Sequence, residues 1–263
     1  MRAELIRSLF VVALPTSLSS VVYKAARNCL GLQTPSWTSD GEFLNADRFV
    51  LISELSEDGS RKFIVEEQER ALFNKISEFL DQVVVSHGFA YKDVVQPFVM
   101  SQWIKKKLPP TLKIKRNVAD VAYSMIIKNK WHYPKRLFPK TEPVELAVVK
   151  GLLRAQEALD SIPGEEVDFD RLIADEGSLY SALTSLYGGV RIKEPKYIDY
   201  KFRARRDEVM GRRRTQEYAS ILDYVNRARE STVWRGLERR TPYEILLALR
   251  TAMNRATWLG GRV

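Results

Sequence analysis

Apolar residues recur at three- and four-residue spacing over much of this chain, and that period restricts its fold more than any other feature. Leu72, Ile76, Phe79, Leu80 and Val83 share one helix face over 66–86, and Val118, Val121, Ala122, Met125 and Ile126 share one over 117–129. A third stripe, Ile245, Leu249, Ala252, Met253 and Ala256, follows position 241. A stripe at this spacing is what an amphipathic helix buries.

The ends of these segments carry matching signals. Glu66, Glu67 and Glu69 crowd a first turn, where the helix dipole favours acids. Asn117 stands as an N-cap. Thr241-Pro242-Tyr243-Glu244 is a capping box with proline at the first helical position, and Gly260-Gly261 ends that helix. Further helices are expected over 97–107, closed by Pro109-Pro110, and over 144–159, closed by Pro163-Gly164. Others are expected through Leu179, Leu183, Leu186 and Tyr187, and through Tyr218, Ile221, Leu222 and Val225. Residues 1–32 read as two helices joined at 14–17, with Ser17 capping the second.

Only one place reads as β-structure. The runs 48–54 and 61–66 flank Ser56-Glu57-Asp58-Gly59-Ser60, and Asp-Gly is a strong hairpin signal. The expected fold class is therefore mainly α: a two-lobed helical protein with one N-terminal β-hairpin. Pro134, Pro139 and Pro143 mark 134–143 as a linker. It separates an N-terminal helical domain, 1–133, with the hairpin and a basic patch, from a C-terminal helical domain, 144–263. At 263 residues and 45% apolar, the chain is long enough for one large core or two ordinary ones.

Cys29 is the only cysteine, so no intrachain disulfide or zinc ribbon is expected, and an intracellular, cytoplasmic or nucleoid-associated setting fits. The apolar start resembles a signal segment, but Glu4 and the short core 9–14 argue against one. No run approaches the roughly 20 apolar residues of a membrane span.

Charge carries the functional expectation. Residues 101–140 hold eleven Lys or Arg and a single acid, Asp120, for a net +10, against +9 for the whole chain. Residues 141–190 reverse to −7, and 191–214 return to +6. Lysines closing a helix complement its dipole, which accounts for part of Lys105, Lys106 and Lys107. It does not account for Lys113, Lys115, Arg116, Lys128, Lys130, Lys135 and Arg136, whose mutual repulsion an anion relieves. Phosphate neutralisation releases counterions, and Trp131 and Tyr133 are placed to stack on bases or sugars. Arg203, Arg205, Arg206, Arg212, Arg213 and Arg214 form a second patch of a residue that grips phosphate oxygens bidentately. The segments 97–107 and 117–129, around Pro109-Pro110, loosely outline a helix-turn-helix with an over-long turn.

Catalytic signatures are missing. His87 and His132 have no partners at a telling spacing, and there is no Walker-type phosphate loop and no Gly-x-Gly-x-x-Gly. Glu165, Glu166, Asp168, Asp170, Asp175 and Glu176 read as a solvated acidic loop or a surface docking a basic patch. The expectation is a non-enzymatic nucleic-acid-binding subunit of a nucleoprotein complex. DNA is favoured over RNA, with protein partners, no membrane, no cofactor and no metal. Three alternatives stand beside it: a subunit of an RNA-guided or viral ribonucleoprotein, a metal-dependent nuclease using Asp168, Asp170 and Glu176, and a membrane-surface protein reading anionic lipid through an amphipathic basic helix.

Overall fold

The run Leu9-Phe10-Val11-Val12-Ala13 is fully buried, and it is a strand. In the computed structural model this β1 (Leu9–Ala13) lies inside a four-stranded sheet of order β4–β1–β5–β6, with every pairing parallel. The structure describes residues 6–36, 41, 53–55, 61–63, 81, 85–94, 108–130, 132 and 143–230. A parallel strand covered on both faces has no reason to alternate, so it reads as an unbroken apolar run. The expected helix before Pro15 is thus corrected to a central strand. Full burial of Leu9, Phe10, Val11 and Val12 is worth roughly 1.5–3 kcal/mol each.

After a turn at 14–18, α1 (Ser19–Leu30) closes on Gly31, whose left-handed φ of 67° lets Leu32 N–H return to Arg27 O at 2.9 Å. Ser17 does not cap it: the cap position is Leu18, and the Ser17 hydroxyl donates to Pro15 O. The expected hairpin is present as β2 (Ser53–Leu55) and β3 (Arg61–Phe63), antiparallel with Glu54 opposite Lys62. Most of the helix expected over 66–86, all of that over 97–107, and the one after 241 lie outside the described residues, as does nearly all of the proposed linker.

β4 (Ala90–Val94) pairs with one side of β1, and β5 (Thr111–Lys115) with the other. The basic connector expected after Pro109-Pro110 is therefore a sheet strand, which overturns the helix-turn-helix outline. Next, Asn117 caps α2 (Val118–Tyr123), its side chain accepting Ala119 N–H at 2.8 Å. The helix widens into a π-helical turn over Ser124–Asn129, and the stripe from Val118 to Ile126 is buried as its spacing implies.

α3 (Val144–Ser161) leads to β6 (Glu165–Asp168), which pairs with β5 and extends the sheet. The acidic stretch is thus an edge strand followed by α4 (Phe169–Ala174), not a loop. Then come α5 (Gly177–Leu186), an irregular connection, α6 (Tyr200–Arg212) and α7 (Gln216–Glu230). Tyr218, Ile221 and Val225 of α7 are buried, while Leu222 is exposed.

The mainly α expectation is corrected accordingly: this is a mixed α/β fold with helices on both faces of a parallel sheet. Leu9, Val11, Ala13, Leu112, Ile114 and Val167 share a core with α1, α4 and α5. Phe10, Val12, Leu14 and Tyr91 share the other with α2, α3 and α7. Period-two alternation within β1 divides the two cores, while β5 gives Leu112 and Ile114 to the first. One consequence places the site. β1 is followed by a helix on one face and its neighbour β5 by a helix on the other, so the chain diverges at their carboxyl ends. Such a switch point is where open α/β sheets form their ligand crevice.

Candidate functional site

The turn 14–18 delivers the amino end of α1 to the carboxyl end of β1. It does so through two left-handed residues that are not glycine, Thr16 (φ 63°) and Leu18 (φ 60°). For a β-branched residue this is a genuine outlier, and the left-handed region costs an L-residue about 1–2 kcal/mol. The first intrahelical bonds of α1 run from the Val21 and Val22 amides to Leu18 O, so the Ser19 and Ser20 amides precede them at the positive end of the dipole.

Arg116 follows the carboxyl end of β5 and reaches across to the turn after β1. Its Nη1 donates to Thr16 O at 2.5 Å, with Thr16 Oγ1 at 3.3 Å. The guanidinium lies 4.2 Å from the centre of the Phe169 ring. The residue is only 5% exposed, and its Nε is buried without a hydrogen-bond partner. Burial pushes this guanidinium down to about 10; Asp120 opposes the shift, while Arg213 and Arg212 add to it. Arg116 is therefore charged at neutral pH, and among the described residues no carboxylate hydrogen-bonds to it.

Arg213 stands just past α6, where the chain passes from one face of the sheet to the other. Its Nε donates to Asp120 Oδ1 at 3.0 Å and its Nη2 to Asp120 Oδ2. The fork also meets Asp170, through Nη1 at 3.0 Å and Nη2 at 2.9 Å. Asp120 opens α2 on one face and Asp170 opens α4 on the other, so one side chain fastens both layers. These bonds, to Asp120 first and then to Asp170, hold the guanidinium's pKa well above its ordinary value. Beside it, Glu208 Oε1 accepts from Lys128 Nζ at 2.7 Å and Arg212 Nη2 at 2.5 Å, which brings its carboxyl down to about 2.

Apart from the buried Arg116, the residues selected by charge fall into three groups. Lys113 and Lys115 lie along β5 and meet Glu166 of β6 at 3.7 and 3.4 Å; Lys115 also reaches Asp160 at 3.5 Å. Lys128, Arg206, Arg212 and Arg213 are in ion pairs too, Arg206 with Asp207 at 2.9 Å. Lys130, Arg203 and Arg214 are exposed. Lys105, Lys106, Lys107, Trp131, Tyr133, Lys135 and Arg136 lie outside the described residues, as does the Arg205 side chain.

The acids have separate structural tasks. Asp168 caps α4 by accepting Arg171 N–H at 3.1 Å, and Glu176 Oε1 accepts the amides of Tyr197 and Ile198. Among the described residues no three His, Cys, Asp or Glu side chains gather as a metal site. His87 is exposed beside Arg7, and Cys29 is buried with its thiol pKa raised by that burial. No helix of the described residues is long and apolar enough to cross a membrane.

Charge reading missed the turn 14–18 and the partnership of Asp120 with Arg213. A signal for the turn existed, since an apolar run ending in Pro-Thr-Ser-Leu-Ser-Ser ahead of a helical stripe is also a strand–turn–helix pattern. No protein-family model matches this chain, and no curated protein matches it in sequence.

Proposed function

We propose that this protein binds a phosphate-bearing small molecule, of the nucleotide class, in the crevice between the carboxyl ends of β1 and β5. The observation that carries this reading is Arg116: a buried guanidinium, hydrogen-bonded to no carboxylate among the described residues, held beside the amino end of an α-helix at the sheet's switch point. Burying a cation is costly unless something anionic compensates it. A phosphate would meet both the Arg116 fork and the open amides of α1. The turn lacks the glycines and the lysine of a Walker loop, so Arg116 supplies the positive charge from the neighbouring strand. Calorimetric titration with pyrophosphate and with nucleoside mono- and diphosphates tests the reading. Arg116→Met is expected to weaken binding at least about tenfold. Equal binding by parent and variant, or no binding by either at millimolar ligand, sinks it.

A second reading, nucleic-acid backbone binding, rests on the exposure of Lys130, Arg203 and Arg214. It predicts duplex DNA or RNA affinity that falls steeply with salt, with the slope reduced when those three are changed to Glu. An unchanged slope removes it. The paired state of Lys113, Lys115, Lys128, Arg206, Arg212 and Arg213 makes it the weaker of the two, since each would have to exchange a carboxylate for a phosphate.

A further inference from the structure

We infer that residues 200–215, α6 and the turn after it, form an electrostatic strap over the carboxyl edge of the sheet. Its opening governs access to the phosphate crevice, so the inference rests on the site reading given above. The segment is poorly anchored by apolar packing. None of the described α6 side chains is buried, and only Phe202 and Val209 pack, half-buried, against the core. Its flanks are firmly set. Upstream, Tyr197 donates its hydroxyl to Leu172 O at 2.7 Å, and the Tyr197 and Ile198 amides are held by Glu176. Downstream, Tyr218, Ile221 and Val225 are buried. Between these two anchors, charge holds the segment down.

The charges converge on the elements that wall the crevice. Glu208 takes Lys128 from the π-helical end of α2, and Arg213 takes Asp120 from the start of the same helix. The strap thus clasps that helix at two points eight residues apart, and Arg213 adds Asp170 from the opposite face. Arg212 and Arg213 lie close enough to depress the Arg116 guanidinium, so strap and crevice share one field. An anion arriving at Arg116 relieves that repulsion and at the same time competes with Asp120 and Asp170 for Arg213. The exposed contacts among these, Glu208 with Lys128 and Arg213 with Asp170, weaken with ionic strength, whereas apolar anchoring does not and the buried Arg213–Asp120 contact does so less. A helix with so little apolar anchoring, held largely by ion pairs, is therefore a local-opening element among the described residues.

Hydrogen–deuterium exchange on the full chain tests this. In Arg213→Gln, amides of Tyr200–Arg212 are expected to exchange about tenfold faster, while those of α3 and β1 are unchanged. Asp170→Asn, which alters only the half-exposed partner, gives a smaller increase confined to the same peptides. Raising NaCl from about 0.05 M to about 0.5 M in the parent does the same. Stopped-flow association of pyrophosphate is then faster in Arg213→Gln than in the parent. If α6 exchange is unmoved by both variants and by salt, or if acceleration spreads through α3 and β1, the strap is refuted. If pyrophosphate binds equally fast to parent and variant, the strap does not gate the site, although the site reading survives. If pyrophosphate fails to bind while α6 still responds, the site reading falls, and gating with it; the local charge-held opening is then what remains measured.

Discussion

Arg116→Met separates a residue kept for a ligand from one kept for the fold. The charged guanidinium of Arg116 is disfavoured in the folded protein, its pKa pushed down by burial from 12.5 to about 10. That depression corresponds to about 3 kcal/mol against the charged form. The sign is that of a base whose folded pKa is lowered. The penalty is complete at neutral pH and fades only as pH rises from 10 toward 12.5. Against it stand one charge-assisted hydrogen bond to Thr16 O, worth about 1.5–3 kcal/mol, and the stacking on Phe169, worth about 0.5–2 kcal/mol. These nearly cancel. Methionine fills similar space and leaves Arg213 to hold Asp120. The variant should unfold within ~1 kcal/mol of the parent, a shift of under about 4 °C in Tm for a chain of this size. Pyrophosphate affinity should fall at least about tenfold. Thermal melts and calorimetry read both numbers. A Tm loss beyond about 8 °C with binding intact would show that Arg116 serves the fold and that the anion-site argument is wrong.

Thr16→Gly relieves a left-handed β-branched residue at some cost in unfolded-state entropy, so a net gain of ~0.5–1 kcal/mol is expected in urea unfolding. A loss would mean that the turn is not strained. Glu208, with its folded pKa lowered to about 2 by Lys128 and Arg212, contributes stability at neutral pH that disappears as pH falls from about 4.5 through 2. Glu208→Gln should lack that acid limb, with the two melting curves converging near pH 2; parallel curves over that range would contradict the assignment. Asp120→Ala leaves Arg213 half-paired against a buried site and should cost about 3–5 kcal/mol. Asp170→Ala, at a carboxylate whose side chain is 46% exposed, should cost under ~1 kcal/mol. The reverse order in chemical denaturation would show that the buried contact does not dominate.

What was legible in the sequence was local. Asn117 as a cap, the stripe from Val118 to Ile126, and the stop at Pro163-Gly164 depend on neighbours within a few residues, and the structure has them. β1 was not legible, because an apolar run of five or six residues suits a buried strand and a buried helix equally. β5 carried its own signal in the alternation Thr111-Leu112-Lys113-Ile114-Lys115, which the lysine charge obscured. The charge map selects both Arg116 and Arg213. It does not reveal that Arg116 is buried, or that the partners of Arg213 stand 43 and 93 positions away in the chain.

The same distances explain why net charge along the chain is a poor map of field on the surface. The +10 stretch and the −7 stretch contribute strands about fifty residues apart in sequence that are neighbours in space, and Lys113 and Lys115 are neutralised across the β5–β6 pairing. Lys128 is neutralised by α6, and Asp120 neutralises Arg213 in return. Like charges close in sequence repel only until the fold inserts their opposites, so a basic run is evidence for an anionic partner in proportion to what remains uncompensated. Among the buried cations at the sheet's carboxyl edge, Arg116 is the one whose described contacts are a backbone carbonyl, a hydroxyl and an aromatic face. Asp120 acts on it through space, but among the described residues no carboxylate hydrogen-bonds to it, and that unmatched donor is what the proposed anion would meet at the carboxyl ends of β1 and β5.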